Sequence, residues 1–267
     1  MPAVRPAAVA GSFYPGDPSD LAAEVTSHVA AARAEAGPKR PKAIIAPHAG
    51  YVYSGPIAGS AYARITALAG TVRRVVLAGP AHRVYVPGVA IPAAGEFATP
   101  LGAVALDAEA IGIARAFPFV EVSDHAHALE HSLEVHLPFL QSVLGDFRLV
   151  PLVVGDAQPQ EMAALFEALW GAEETLVVVS SDLSHYLPYE AARRRDGGTA
   201  RAILELEGTL VPEDACGAAP INGLLALAQR LGLEAELLDL RNSGDTAGSR
   251  DRVVGYGAFA FHEPRHG

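Results

Sequence analysis

The chain has 267 residues, of which 50% are hydrophobic and 19% charged. This composition is typical of a packed globular protein and excludes an intrinsically disordered chain. The formal net charge of −10 gives no electrostatic reason to bind nucleic acid or an anionic membrane. We expect a single domain over residues 1–267, because α/β folds reach this length without dividing.

Cysteine usage and hydropathy bear on the compartment. Cys216 is the only cysteine, so no disulfide can form within the chain, which fits a reducing environment. The first residues lack a basic start followed by an apolar run, and no segment offers about 18 uninterrupted apolar residues. We therefore expect a cytoplasmic protein with no membrane anchor.

Short apolar runs alternate with longer helical stretches along the chain. The alternation predicts an α/β fold with a mostly parallel central sheet flanked by helices. The runs at 89–91 and 103–106 predict an antiparallel hairpin beside that sheet. The predicted strands are residues 42–46, 74–78, 149–154, 175–180, 234–240 and 252–261, and the predicted helices are residues 56–68, 158–170, 189–207 and 220–231.

Three histidines follow predicted strands. His48, His82 and His185 come shortly after the strands that end at residues 46, 78 and 180. Parallel strands deliver their following loops to one edge of the sheet, where ligand sites form in α/β folds. A lone loop histidine more often only hydrogen-bonds its own backbone. Three matching placements favour a shared site.

A cluster of histidines of this kind could bind a metal ion. Imidazole is a common ligand of zinc, iron and copper, and two histidines with one carboxylate leave coordination positions open. The sequence supplies three candidate carboxylates near the relevant loops. They are Asp182, Glu134 and Asp245, and spacing alone does not choose among them.

A second histidine-rich stretch covers residues 125–136. His131 and His136 are five residues apart and would point to different faces of a helix, so the stretch does not form a zinc-protease motif. On a helix only His131 and Glu134, three apart, would face one site together, as residues that support the metal ligands. The alternative is an amphipathic helix whose polar residues face solvent.

Six short motifs, in order along nearly the whole chain, resemble those of the Memo family, called AmmeMemoRadiSam system protein B in prokaryotes. The breadth and order of the agreement make the resemblance specific. The motifs are AGSFYP at 10–15, APHAGY at 46–51, GPAH at 79–82, EHSLEVHLPF at 130–139, SSDLSH at 180–185 and NSGD at 242–245.

The resemblance implies a fold similar to the class III extradiol dioxygenases, in which two histidines and a carboxylate hold non-heme Fe(II). By motif, His48 and His82 match the two metal histidines and Asp245 takes the third-ligand position. His185 matches a further active-site histidine, which we expect to transfer a proton, and its neighbour Asp182 either orients it or caps the loop. Animal members have a cysteine at the position of Asp245, and a carboxylate favours Fe(II) over copper.

The resemblance favours an iron-dependent, dioxygenase-like oxidoreductase with one divalent metal ion and an unknown substrate. Zinc or copper at the same ligands is the alternative for the metal, and a zinc-dependent hydrolase is the alternative reaction. A non-catalytic protein that binds a metal or a peptide is a third hypothesis. The prokaryotic family name implies AMMECR1-like and radical-SAM proteins as partners.

Overall fold

The structure, a computed structural model, describes residues 3–32 and 40–264. The strands are β1 (Val4–Arg5), β2 (Ala43–Ala46), β3 (Arg74–Pro80), β4 (Val89–Ile91), β5 (Glu96–Thr99), β6 (Gly102–Ala105), β7 (Val120–Val122), β8 (Arg148–Val154), β9 (Thr175–Ser180), β10 (His185–Leu187), β11 (Glu234–Asn242) and β12 (Val253–His262). The α-helices are α1 (Pro18–Ala32), α2 (Tyr51–Ile65), α3 (Ala108–Arg115), α4 (Asp124–Ala128), α5 (Leu137–Leu144), α6 (Pro159–Ala168), α7 (Tyr189–Leu204) and α8 (Ala218–Leu231).

The main sheet has the order β10-β12-β2-β9-β3-β8-β4-β7, with β11 also paired to β12. Its four central strands, β2, β9, β3 and β8, are parallel. The neighbouring strands β12 and β4 run antiparallel to this central block. The predicted α/β class is confirmed, with a parallel centre inside a mixed sheet.

Helices cover both faces of the sheet. Along β3, Val75 and Leu77 pack into the core on the face that carries α1, α2 and α5. The alternate residues Val76 and Ala78 pack on the other face, against α6 and α8. Side chains of a strand alternate between faces, so a strand covered on both sides needs a continuous apolar run. This requirement explains why the central strands are recognisable in the sequence.

The predicted hairpin between residues 89–91 and 103–106 is wrong in its pairing. β4 enters the main sheet between β8 and β7. β6 pairs instead with β5, which precedes it by a two-residue turn, and both join β1 in a separate three-stranded sheet. A two-residue connection is the shortest route to an antiparallel partner, and Gly102 at its end has a φ of 121°.

Helix α2 begins at Tyr51, five residues before the predicted start, so Pro56 lies inside the helix. The earlier start brings the N-terminus of α2 to the loop that follows β2. Because β2, β3 and β9 are parallel, their C-terminal ends at Ala46, Pro80 and Ser180 lie along one edge of the sheet. Across the described residues, we find no helix with the length and apolar character needed to cross a bilayer.

Candidate metal centre

Three imidazoles meet at this edge of the sheet. His48 follows β2, His82 follows β3, and His131 comes from the segment between α4 and α5. One ring nitrogen from each lies within 4.8 Å of the others, and in the described part of the chain this is the group that could hold a metal ion. The ring centroids are 5.1 Å apart for His48 and His82 and 4.7 Å apart for His82 and His131.

Asp245, the expected third ligand, does not join this three-histidine group. It ends the short turn Ser243–Asp245, where its Oδ2 accepts a hydrogen bond of 3.1 Å from the backbone amide of Asn242. Its other oxygen accepts from the hydroxyl of Tyr189. One carboxylate oxygen thus caps the turn, and the other is held by a tertiary contact to Tyr189. The third candidate ligand in this structure is His131.

His48 is buried, and a hydrogen bond at Nδ1 fixes the orientation of its ring. Nδ1 lies 2.6 Å from the hydroxyl oxygen of Ser180. The Ser180 hydroxyl donates its own proton to the carbonyl of Ser132 at 2.6 Å, so its oxygen accepts from Nδ1–H of His48. This arrangement leaves the lone pair on Nε2 available for a metal. Burial, followed by the neighbouring His82 and His131, lowers the pKa of His48 well below its ordinary value, which keeps the ring neutral.

His82 is held by a buried carboxylate. Glu130 Oε1 lies 2.9 Å from Nδ1 of His82, and Oε2 accepts from the His82 backbone amide at 2.6 Å. A carboxylate only accepts, so Nδ1 carries the proton and Nε2 is free to bind a metal. Burial alone would raise the pKa of Glu130, but the hydrogen bonds and charge interaction with His82 lower it to about 2.

His131 reaches the group because its segment is not helical. The amides of His131 and Ser132 both donate to Glu130 Oε1 at 2.9 Å, and the Ser132 hydroxyl donates to the carbonyl of Pro80 at 2.8 Å. The Nδ1 of His131 is buried without a hydrogen-bond partner among the described residues. Burial lowers the pKa of His131 to about 4, so its imidazole is neutral at pH 7.

Glu134, expected to support the metal ligands together with His131, serves another purpose. Its side chain is fully buried and pairs with Arg5. It also accepts from the Tyr14 hydroxyl at 2.5 Å and from the amides of Ala8 and Val9. The three-residue spacing would have placed both side chains on one face only in a helix. Glu134 instead attaches the N-terminal segment, whose Phe13 ring lies 4.8 Å from that of His131.

Asp182 and His185, the expected catalytic pair, both line the cavity beside the three-histidine group. Asp182 Oδ1 accepts from the backbone amide of His48 at 2.8 Å, so it orients the loop of His48 and has no hydrogen bond to His185 among those described. Burial raises the pKa of Asp182 to about 6, partly opposed by that hydrogen bond. His185 is exposed on β10.

Cys216 contacts His48 at Nε2, the nitrogen that faces the other two histidines. Its Sγ lies 3.4 Å from Nε2 of His48 and 3.3 Å from the backbone nitrogen of Asp182. Burial, followed by the charge of Asp182, raises the pKa of the thiol to about 12, so the group is neutral at pH 7. From the sequence alone, Cys216 indicates only that no disulfide can form within the chain. No spacing signal places it beside His48, 168 residues away.

The three-histidine group opens into a cavity of about 680 Å³, which is large enough for a small-molecule ligand. Its polar lining includes Asp182, His185 and two arginines, Arg83 and Arg252. Aromatic side chains line it as well, among them Tyr53 and Tyr186. Glu130 and Ser180 are the supporting residues that sequence reasoning missed, although both stand inside the motifs at 130–139 and 180–185.

Comparison with known proteins identifies the family. The structure of an uncharacterized protein, JW3007, from Escherichia coli K12 is similar over 80% of this chain and 98% of that chain, with a TM-score of 0.45 and 14% identity. Residues 5–260 match the model of the family described as Memo-like protein. A MEMO1 family protein of Ignicoccus hospitalis is 39% identical, covering 98% of this chain and 99% of its own, and one of Pyrobaculum arsenaticum is 35% identical, covering 97% and 99%. The chain belongs to the Memo-like protein family.

Proposed function

We propose that this chain is a metal-dependent oxidoreductase that binds one non-heme iron ion through His48, His82 and His131. The observation that carries the proposal is the convergence of three ring nitrogens within 4.8 Å at the wall of a cavity of about 680 Å³. The substrate is a small molecule bound in that cavity. The preference for iron and O₂ rests on the resemblance to the Memo family and the dioxygenase-like fold it implies, since no carboxylate is among the three donors.

The residues present fit a metal ion. Ser180 and Glu130 engage the Nδ1 atoms of His48 and His82, which fixes the tautomers and presents Nε2 as the donor. Ligand imidazoles must be neutral, and the lowered pKa values of His48 and His131 meet this requirement. Imidazole ligands suit iron, zinc and copper alike.

The side chains around the three histidines supply the remaining functions. A bound Fe(II) ion would supply the redox chemistry that activates O₂ toward a substrate. His185 faces the same cavity and is positioned to transfer a proton, because an imidazole can both accept and donate one near neutral pH. Asp182 holds the backbone of His48 in place, and Phe13 covers one side of His131.

Metal analysis after anaerobic purification tests the proposal. We expect about one iron per chain in the wild type, and loss of the ion in His48→Ala and in His82→Ala with the fold retained, because both residues lie in loops. His185→Ala should keep the ion. Nitric oxide, a probe for open positions on Fe(II), should give its EPR signal with the wild type and with His185→Ala only. Full metal occupancy in His48→Ala would refute the ligand assignment.

Zinc-dependent hydrolysis is a second candidate, favoured by one specific observation. The structure brings three histidines together, and three histidines with an open fourth position form a known type of catalytic zinc site. Zinc in a preparation made with iron available would favour this reaction. A folded protein that binds neither metal would instead indicate a non-catalytic binding protein.

A further inference from the structure

One side of the main sheet ends in a long strand whose outer edge is open. β11 (Glu234–Asn242) pairs with β12, and within residues 3–32 and 40–264 no other strand pairs with it. Between residues 236 and 241 the outer edge therefore presents backbone N–H and C=O groups to a possible second strand. Such an edge is a template for pairing with another chain, and proteins usually shorten or cover it.

The side chains along this edge are accessible. Leu237 is 37% exposed, and the side chains of Glu236 and Arg241 are 41% and 38% exposed. On the face of the sheet that carries α2, a cleft of about 440 Å³ lies beside the strand, with Ser60 and Asp239 in its lining. A second strand and its side chains therefore have room to approach β11.

A β-bulge determines which side chains of β11 share a face. The register with β12 shifts between Leu237 and Asp239, so the strand contains one extra residue at this point. Glu236 forms an ion pair with Arg64 of α2, and Asp239 accepts from the hydroxyl of Ser60 of α2 at 2.8 Å. Both acidic residues therefore lie on the face that α2 covers.

The bulge makes the pattern of β11 symmetric. Arg241 lies on the α2 face, because its Nε donates to Asp239 at 2.9 Å and it lines the same cleft. Leu240 packs against the core on the other face, and alternation places Leu237 there as well. Residues 236 and 241 are five apart and would point to opposite faces of a regular strand. With the extra residue between them, they share one face, and the two leucines share the other.

We propose that two copies of this chain form a dimer by antiparallel pairing of β11 with β11, across a twofold axis between residues 238 and 239. In this register Glu236 lies opposite Arg241 of the second copy, and Leu237 lies opposite Leu240, each pair occurring twice. Opposite residues of antiparallel strands point to the same face, and the bulge gives every pair matching faces. Opposite charges and apolar pairs at such positions stabilise a sheet. The strand is thus complementary to itself, which identifies a second copy as the partner.

Analytical ultracentrifugation of the full chain tests the dimer and the edge that forms it. The wild type should sediment with twice the 27.7 kDa mass of the chain. Leu237→Lys places a charge opposite Leu240 twice in each dimer and should weaken dimerisation about tenfold or more. Val122→Lys, at a 43% exposed position of the opposite edge strand β7, is the matched control and should dimerise like the wild type. A monomeric wild type at about 100 μM, or a dimer weakened by Val122→Lys and not by Leu237→Lys, would overturn the inference.

A disulfide between the two copies tests the register. Cys216, the only cysteine of the chain, is first replaced by serine. Leu237→Cys combined with Leu240→Cys should then give a covalent dimer under mild oxidation, because opposite Cα atoms of antiparallel strands are about 4.5–5.5 Å apart, within disulfide range. Each cysteine alone would lie about 10 Å along the strand from its own copy and should give no covalent dimer. No crosslink in the double variant, or an equal yield in either single variant, would contradict the proposed register.

Discussion

Glu130 binds one histidine twice, through Oε1 to Nδ1 of His82 at 2.9 Å and through Oε2 to the His82 backbone amide at 2.6 Å. The same carboxylate accepts the amides of His131 and Ser132. One buried side chain therefore orients two of the three candidate ligands. This contact gives Glu130 a role that differs from that of Glu134, four residues later.

The pair Glu130→Gln and Glu134→Gln separates these roles. An amide cannot accept at both ends, so Glu130→Gln loosens His82 and should weaken metal binding about 10- to 100-fold. Glu134→Gln leaves the buried Arg5 without its carboxylate and should lower the free energy of unfolding by about 3 kcal/mol. Metal titration and urea unfolding of both variants measure the two effects. Equal metal affinity in the two variants would contradict the assignment of Glu130.

Two glycine-to-alanine substitutions test the assigned backbone conformations. At both positions the added methyl group would meet open space. Gly232 ends α8 with a φ of 67°, and a Cβ there would meet nothing within 4 Å. Gly232→Ala should therefore cost about 1 kcal/mol from backbone strain alone. Gly112, inside α3, has equally open surroundings, and Gly112→Ala should add about 0.5–1 kcal/mol of stability. Urea unfolding measures both, and the same sign for the two changes would contradict the assigned helix end.

Stability should fall in mild acid because buried histidines fold in the neutral form. Burial lowers the pKa of His127 from 6.5 to about 4 and that of His136 to about 3. Between pH 6.5 and about 4 the unfolded chain binds protons that the folded chain excludes, so the free energy of unfolding decreases as the pH falls. At pH 5 each histidine should reduce it by about 2 kcal/mol.

His127→Gln isolates one contribution to this pH dependence. His127 Nε2 donates to the carbonyl of Ala90 at 2.9 Å, and a glutamine amide can make the same donation without titrating. Between pH 7 and pH 5, the free energy of unfolding should fall by about 2 kcal/mol less in the variant than in the wild type, which is the contribution expected from one histidine. Unfolding free energies at the two pH values provide the comparison. An unchanged difference would mean that His127 is not protonated on unfolding.

Periodicity and strand ends are enough to predict the centre of the fold and to place His48, His82 and His185 near one edge of the sheet, and the resemblance to the Memo family then singles out His48 and His82 as ligands. The parallel strands are covered on both faces, so their apolar runs are continuous and easy to recognise. His48 and His82 follow such strands directly, and parallel strands end at one edge. The pairing of β5 with β6 escapes prediction because short, half-exposed strands carry a weak pattern.

The third candidate ligand, His131, cannot be derived in the same way. Helical spacing pairs His131 with Glu134, but Glu130 accepts the amides of His131 and Ser132. A side chain that binds nearby amides competes with helix formation, so helical spacing does not apply there. The motif points to Asp245, whose oxygens accept from the Asn242 amide in its own turn and from the distant Tyr189 hydroxyl. Hydrogen bonds of this kind leave no periodic signal in the sequence, and the bond from Tyr189 forms only in the folded chain.

The most direct test compares the metal content of the wild type, His131→Ala and Asp245→Ala, purified side by side without oxygen and checked for folding by circular dichroism. The three-histidine group predicts about one ion per chain in the wild type and in Asp245→Ala, and loss of the ion in His131→Ala. Retention of the ion in His131→Ala together with its loss in Asp245→Ala would contradict the account and return the third position to the carboxylate.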